Sequence, residues 1–265
     1  MARLLALPRH ALLIALLGVL GVMSLAWNAV ALLLHPLLPP RTGLRVGRAA
    51  ISRVYRTFWW LAARCGMLHI DASALDGLAS ERGLIVVANH PSLLDALIVV
   101  ARLPASACIM KAELMRNAFL GAGARLARYI RNDSPRAMIR LAAADLQAGG
   151  QLVVFPEGTR TTRFPVNAFK PGVTLIARLA QVPIQTVFID TDSPYASKGW
   201  PLWRLPPLPM RFSVRLGERY APQADGEALL RRIEQAYAAG LRPAAAATAP
   251  VSVPDAPLRG RASRS

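Results

Sequence analysis

The chain has 265 residues, with 32 Lys+Arg against 15 Asp+Glu, a formal charge of +17 and 54% hydrophobic residues. So apolar a chain is not wholly disordered. Two cysteines, Cys65 and Cys108, exclude a disulfide scaffold and a Cys-rich zinc module, and four histidines outside any His/Cys cluster argue against a structural metal site.

The charge is unevenly placed. Residues 1–70 hold eight Arg and no Asp or Glu, while the remaining 24 basic residues share the rest of the chain with all 15 acids. A basic protein favours an anionic partner, nucleic acid or a membrane surface. From Ala11 to Leu34 run 24 residues without a charge, and about 20 apolar residues suffice for a helix to cross a bilayer. This stretch either spans the membrane or enters it as one arm of a hairpin. A secretory signal peptide is the competing reading, with Arg3 and Arg9 as its basic start and Ala29-Val30-Ala31 as a cleavage site. Against it, the apolar run continues through Leu32-Leu33-Leu34. Next come Arg41, Arg45, Arg48, Arg53 and Arg56, then Phe58-Trp59-Trp60 and Arg64. Arginines beside aromatics suit the lipid headgroup zone and place the following domain on the cytoplasmic face. The alternative is that the aromatics pack on that domain.

Gly83 to Ala88 is a short, β-branched apolar run and predicts a buried strand. Asn89-His90-Pro91-Ser92 is a turn, and Leu93 to Leu103 a helix. Ser106 to Met110 predicts a second strand, and residues 112–129 a helix broken near Gly121. Ser134 to Gln147 is a helix capped by Asp133 or Ser134 and stopped by Gly149-Gly150. Gln151 to Phe155 is a strand, Gly172 to Ala180 a helix, Ile184 to Asp190 and Arg211 to Gly217 strands, and Glu227 to Ala239 a last helix. The fold class is α/β, a mainly parallel mixed sheet flanked by helices. Sites in such sheets lie beyond the carboxyl ends of strands, which singles out residues 89–95 and 155–160.

His90 follows a strand, and Asp95 sits five residues on, in the first turn of the next helix. A carboxylate on one imidazole nitrogen fixes the tautomer and leaves the other as a general base. Imidazole in model peptides titrates near ~6.5, suiting it to neutral pH. In Phe155-Pro156-Glu157-Gly158-Thr159-Arg160, glycine permits close backbone approach and arginine offers a planar fork for phosphate or carboxylate.

Asn89 to Asp95 resembles motif I of the glycerolipid acyltransferases, NHxxxxD, and Phe155 to Arg160 matches their motif III, FPEGTR. The two stand in the family's order, about 65 residues apart. The chain resembles a lysophosphatidate acyltransferase-type enzyme over residues 65–220. The resemblance implies an N-terminal membrane-associated helical segment (1–67), a catalytic domain (68–242) and, by composition, a disordered Ala/Pro/Ser tail (243–265). It implies His90 as general base, Asp95 as its orienting acid, and Arg160 on the acceptor phosphate with Glu157, Gly158 and Thr159 shaping the loop. Lys111 matches a family lysine that faces phosphate, and Arg131, in Tyr129-Ile130-Arg131-Asn132, stands in the place of motif II as an acceptor contact. No cofactor or metal is implied. Acyl-CoA or acyl carrier protein is the co-substrate, membrane lipids are the partners, and the site is the cytoplasmic membrane.

Two departures bear on the acceptor. Val182-Pro183-Ile184-Gln185-Thr186-Val187 lacks the second proline of motif IV, and Thr161 to Pro165 differs from the usual charged turn. The expected reaction is acylation of 1-acyl-glycerol-3-phosphate; another lysolipid, an amino-acid lipid or a secondary-metabolite lipid is the alternative. A non-catalytic lipid binder of the same fold would not need an intact His90 and Asp95. A nucleic-acid binder would cluster its basic residues on a soluble face, whereas the acid-free zone here coincides with the apolar segment. A serine hydrolase needs a G-x-S-x-G elbow, absent here.

Overall fold

The computed structural model describes residues 2–241. Two helices lead, α1 (Ala2–Leu37) and α2 (Pro40–Arg64). The strands are β1 (Leu68–Asp71), β2 (Leu84–Ala88), β3 (Ser106–Met110), β4 (Ile130–Arg131), β5 (Gln151–Val154), β6 (Ile184–Thr191) and β7 (Met210–Tyr220). The remaining helices are α3 (Asp95–Arg102), α4 (Gly121–Leu126), α5 (Pro135–Gln147), α6 (Gly172–Ala180) and α7 (Gly226–Gly240). The seven strands form one sheet in the order β1-β7-β6-β2-β5-β3-β4. Among the described residues, only the β6–β7 pairing is antiparallel.

β2 is buried along its whole length, as a central strand covered on both faces must be. Its side chains point alternately into two cores. Leu84, Val86 and Ala88 join a cluster with α2 and α3, whereas Ile85 and Val87 join α6 and α7 on the other face. The helix after β2 (α3) and the helix after β5 (α6) therefore leave to opposite faces, opening a crevice at the carboxyl ends of two paired strands.

The N-terminal helices are integral to the first of these cores. Leu13 and Leu16 of α1 and Ile51, Tyr55, Phe58 and Trp59 of α2 are buried in it. The headgroup-zone expectation fails for Phe58 and Trp59, which pack on the domain. Trp60 alone of the three faces outward, with the Arg64 guanidinium 5.2 Å above its ring. It fails also for Arg48, only 2% exposed. Arg48 donates to Asp145 Oδ1 (2.7 Å), Ala105 O (2.9 Å) and Ala127 O (3.1 Å), binding α2 to the end of α5 and the loops beside it. A buried guanidinium persists only when its donors are met in this way. α1 docks through the few polar groups in its apolar run. Asn28 accepts the Gly123 N–H (3.0 Å) and donates to Phe119 O, and Trp27 lies where a Cβ on Gly123 would stand. Pro8–Leu37 remains long and apolar enough to cross a membrane, with most of its surface outward.

Local expectations fared unevenly. The helix expected over 112–129 is instead a 3-10 turn (Ala112–Arg116) and the short α4. Gly121 lies against Met115 O, which also receives the Arg125 guanidinium, so the chain doubles back there. β1 and β4 are edge strands of four and two residues, too short for a period-2 pattern. Ser134 is the N-cap of α5, accepting from Ala137 N. The expected tail over 243–265 lies outside the described residues.

Candidate active site

Asn89 directly follows β2, and its amide does the work of a strand residue. Its Nδ2 donates to Ile189 O and its Oδ1 accepts Ile189 N–H, both at 2.8 Å, holding the exit of β2 against β6. The chain then turns through Pro91 and enters α3 at Asp95. Asp95 is fully buried, and its Oδ2 accepts the Ser92 N–H at 2.7 Å and lies 3.1 Å from His90 Nδ1. The offset of five residues thus closes a tight loop in which carboxylate and imidazole meet. His90 keeps 15% of its side chain exposed, and Phe155 stacks on its ring at 4.2 Å. With Nδ1 committed to Asp95, Nε2 is left for a reacting hydroxyl.

Burial pushes the Asp95 carboxyl up to about 6, against the lowering effect of His90 and the Ser92 N–H. Its Oδ1 has no partner. An anion with one unsatisfied buried oxygen gains from sharing a proton with the neighbouring imidazole.

The loop after β5 is joined to this turn. Glu157 is buried. Its Oε1 accepts His90 N–H (3.0 Å) and Thr161 Oγ1–H (2.7 Å), and its Oε2 accepts Asn167 N–H (2.8 Å). Thr161 N–H in turn donates to His90 O at 2.7 Å. Glu157 therefore faces inward and shapes the loop without facing the crevice. Gly158 adopts φ +68°, closing a turn onto Phe155 O, and the Lys170 side chain occupies the place a Cβ would take. Thr159 is exposed. Arg160 Nη1 donates to Ala196 O (2.8 Å) and Ser197 O (2.9 Å), leaving Nη2 and Nε for a ligand.

His90, Asp95, Glu157, Gly158, Thr159 and Arg160 are thus brought together. Lys111 follows β3, the neighbour of β5, at the same end of the sheet, and is exposed. Arg131 is not brought to the imidazole: β4 is the edge strand, three places from β2, and Arg131 pairs with Asp133 at 3.5 Å. At about 4.8 Å per strand, β4 stands roughly 14 Å from β2. Sequence reading passed over Asn89, Phe155, Lys170 and Asn167 as contributors. The first two lie within the motifs and act through backbone mimicry and stacking, which no spacing reveals. Asn167 holds the segment after motif III, its Oδ1 accepting from Thr162 and Arg163 N–H and its Nδ2 donating to Arg160 O. Among the described residues, no group of three or more His, Cys, Asp or Glu could hold a metal ion.

The family model described as Acyltransferase matches residues 69–190, a span that contains both loops. Lyso-ornithine lipid O-acyltransferase of Pseudomonas aeruginosa is 31% identical over 72% of this chain and 70% of its own length. The 1-acyl-sn-glycerol-3-phosphate acyltransferase of the same organism is 20% identical over 82% of this chain and 83% of its own. Rat lysophosphatidylcholine acyltransferase 1 is 30% identical over 73% of this chain, but the match spans only 37% of that longer protein. The crystal structure of the 1-acyl-sn-glycerophosphate acyltransferase of Thermotoga maritima superposes with a TM-score of 0.64 at 23% identity. It covers 88% of this chain and 94% of that one, and so shares the fold. A histidine–carboxylate pair and an FPEGTR loop, seated at adjacent strand ends of this fold in a chain so related, have one common denominator: the chain belongs to the glycerolipid acyltransferase family.

Proposed function

We propose that the protein is a membrane-bound acyltransferase that moves a fatty acyl group from acyl-CoA or acyl carrier protein to the hydroxyl of a lysophospholipid, with 1-acyl-glycerol-3-phosphate as acceptor and phosphatidate as product. The observation that carries this reading is the His90 Nδ1–Asp95 Oδ2 contact of 3.1 Å beside the Arg160 loop. His90 Nε2 takes the proton of the acceptor hydroxyl, and the oxygen attacks the thioester carbonyl. The tetrahedral intermediate collapses with cleavage of the C–S bond, and the imidazolium returns the proton to the departing thiolate. Asp95 stabilises the imidazolium and holds its tautomer. No acyl-enzyme is required. The free nitrogens of Arg160, with Lys170 beside Gly158 and Lys111 on the next strand, supply positive charge for the acceptor headgroup. The apolar helix over Pro8–Leu37 keeps the domain at the cytoplasmic membrane, and the arginines of α2 favour its cytoplasmic face.

A second acceptor has an observation in its favour. The relative with the higher identity of the two Pseudomonas proteins is named for a lyso-ornithine lipid. The test is an acyl-transfer assay on purified full-length protein, with labelled acyl-CoA and acyl carrier protein as donors and His90→Ala as blank. Lysophosphatidate, lysophosphatidylcholine and lyso-ornithine lipid are offered side by side. Transfer to lysophosphatidate supports the first reading; transfer only to the lyso-ornithine lipid replaces the acceptor; transfer to none, with both donors, overturns the reading.

A further inference from the structure

Between β6 and β7 lies a long connection, residues 192–209. It is anchored directly to the catalytic loops. Ser92 Oγ donates to Tyr195 O (3.0 Å), Leu93 N–H donates to Ala196 O (3.0 Å), and Arg160 donates to Ala196 O and Ser197 O. Beyond this anchor the chain folds into two successive turns, Trp200 N–H to Ser197 O and Arg204 N–H to Pro201 O, both 3.1 Å. The turns are stapled by Tyr195 Oη donating to Leu202 O (2.8 Å) and by the Arg204 guanidinium lying 4.5 Å over the Trp200 ring.

This ordered loop puts its apolar side chains outward. Trp203 is 68% exposed and Leu202 39%, and Leu93, tied to Ala196 of the same connection, is exposed as well. From 193 to 209 there are two cations, Lys198 and Arg204, and no acid. The inner side of the loop (Tyr195, Ala196, Trp200, Leu205) packs into the same core as Leu13 and Leu16 of α1, so the loop lies on the face of the sheet that carries the apolar helix. Exposed tryptophan and leucine flanked by arginine and lysine match the chemistry of a bilayer interface, with the ring at headgroup depth and the cations on anionic lipid.

We propose that residues 198–204 form a second membrane contact, independent of the N-terminal helix, in which Leu202 and Trp203 enter the interface of an anionic leaflet and hold motif I at the bilayer surface. That a membrane-embedded acceptor is delivered there rests on the acyltransferase reading; the contact itself does not.

The test uses full-length protein on phosphatidylethanolamine/phosphatidylglycerol vesicles, with Cys65→Ser and a nitroxide on Trp203→Cys. Glu227→Cys, on α7 against the opposite face of the sheet, is the reference site. The expected result is that the label at 203 collides preferentially with oxygen and that at 227 with a water-soluble nickel chelate. An equally aqueous label at both sites overturns the proposal. So does an aqueous label at 203 that is immobilised only by added acyl carrier protein, which assigns the patch to the donor. Leu202→Glu/Trp203→Glu is expected to lower transfer to a vesicle-embedded acceptor at least tenfold and to leave transfer to a short-chain monomeric acceptor within twofold. Equal losses on both acceptors overturn the proposal by making the loop part of the catalytic pocket. If no acceptor is acylated by any variant, the acyltransferase reading fails and the label at 203 still decides the contact.

Discussion

Glu157 accepts the backbone N–H of His90 at 3.0 Å across 67 residues of sequence. The acid of one motif thereby sets the main chain of the other, and with it the direction from which the imidazole meets Asp95. Two further donors, Thr161 Oγ1–H and Asn167 N–H, converge on the same carboxylate. It is the node on which the two catalytic loops are assembled.

Glu157→Ala leaves those three donors unmet in a buried place. It should cost about 3 kcal/mol of stability and lower kcat by more than tenfold, because His90 loses its backbone anchor. Glu157→Gln keeps the shape and an accepting oxygen, and should retain more of both. Urea denaturation and steady-state rates on the two variants check this. A Glu157→Ala enzyme with unchanged kcat would show that Glu157 does not position His90.

Asp95 gives a pH signature of unusual sign for a carboxylate. Its folded pKa, about 6, lies above its ordinary value of 3.8. Its contribution to stability is therefore complete below about 3.8 and is lost as pH rises through about 6. Asp95→Asn should raise the melting temperature at pH 8 more than at pH 5, while abolishing measurable transfer. Wild-type activity should fall as pH drops through about 6, when protonated Asp95 stops supporting the imidazolium. Thermal scans and a pH–rate profile test both; a stability gain confined to acid pH would reverse the argument.

Arg160 spends one nitrogen on two carbonyls of the 192–209 connection and keeps the others free. Arg160→Ala should raise the acceptor KM by roughly ten- to a hundredfold, in line with ~1.5–3 kcal/mol for a charged hydrogen bond, and leave the donor KM unchanged. Arg160→Lys should not restore the acceptor KM, since a single ammonium cannot hold the carbonyls and a headgroup at once. A change confined to the donor KM would remove Arg160 from the acceptor site.

The buried Arg48 pairs with the partly exposed Asp145 and binds α2 to α5. Arg48→Ala leaves the Asp145 carboxylate with neither oxygen partnered, its Oδ2 being already unpaired, and should cost about 2–3 kcal/mol. Because the pair is remote from His90, the KM values of the protein that remains folded should be unchanged. Chemical denaturation together with steady-state kinetics separates the two effects.

Much was legible along the chain. β2 is a continuous apolar run between turn residues and β3 and β5 are nearly so, and the chemistry of 89–95 and 155–160 shows in residue type and spacing alone. Local interactions determine such features: strand formation in an apolar run, a cap such as Ser134, and a histidine and carboxylate five residues apart on one turn. What only the tertiary structure decided is what depends on which strand pairs with which. The β2–β5 pairing brought Glu157 to the backbone of His90, so that the residue shaping one loop also holds the other. The packing of α2 drew Arg48, Phe58 and Trp59 from the expected lipid face into the core. The antiparallel β6–β7 connection carried Tyr195, Ala196 and Ser197 to the catalytic loops. Burial and long-range hydrogen bonding set these outcomes, and neither is written in the spacing of residues along one strand of chain.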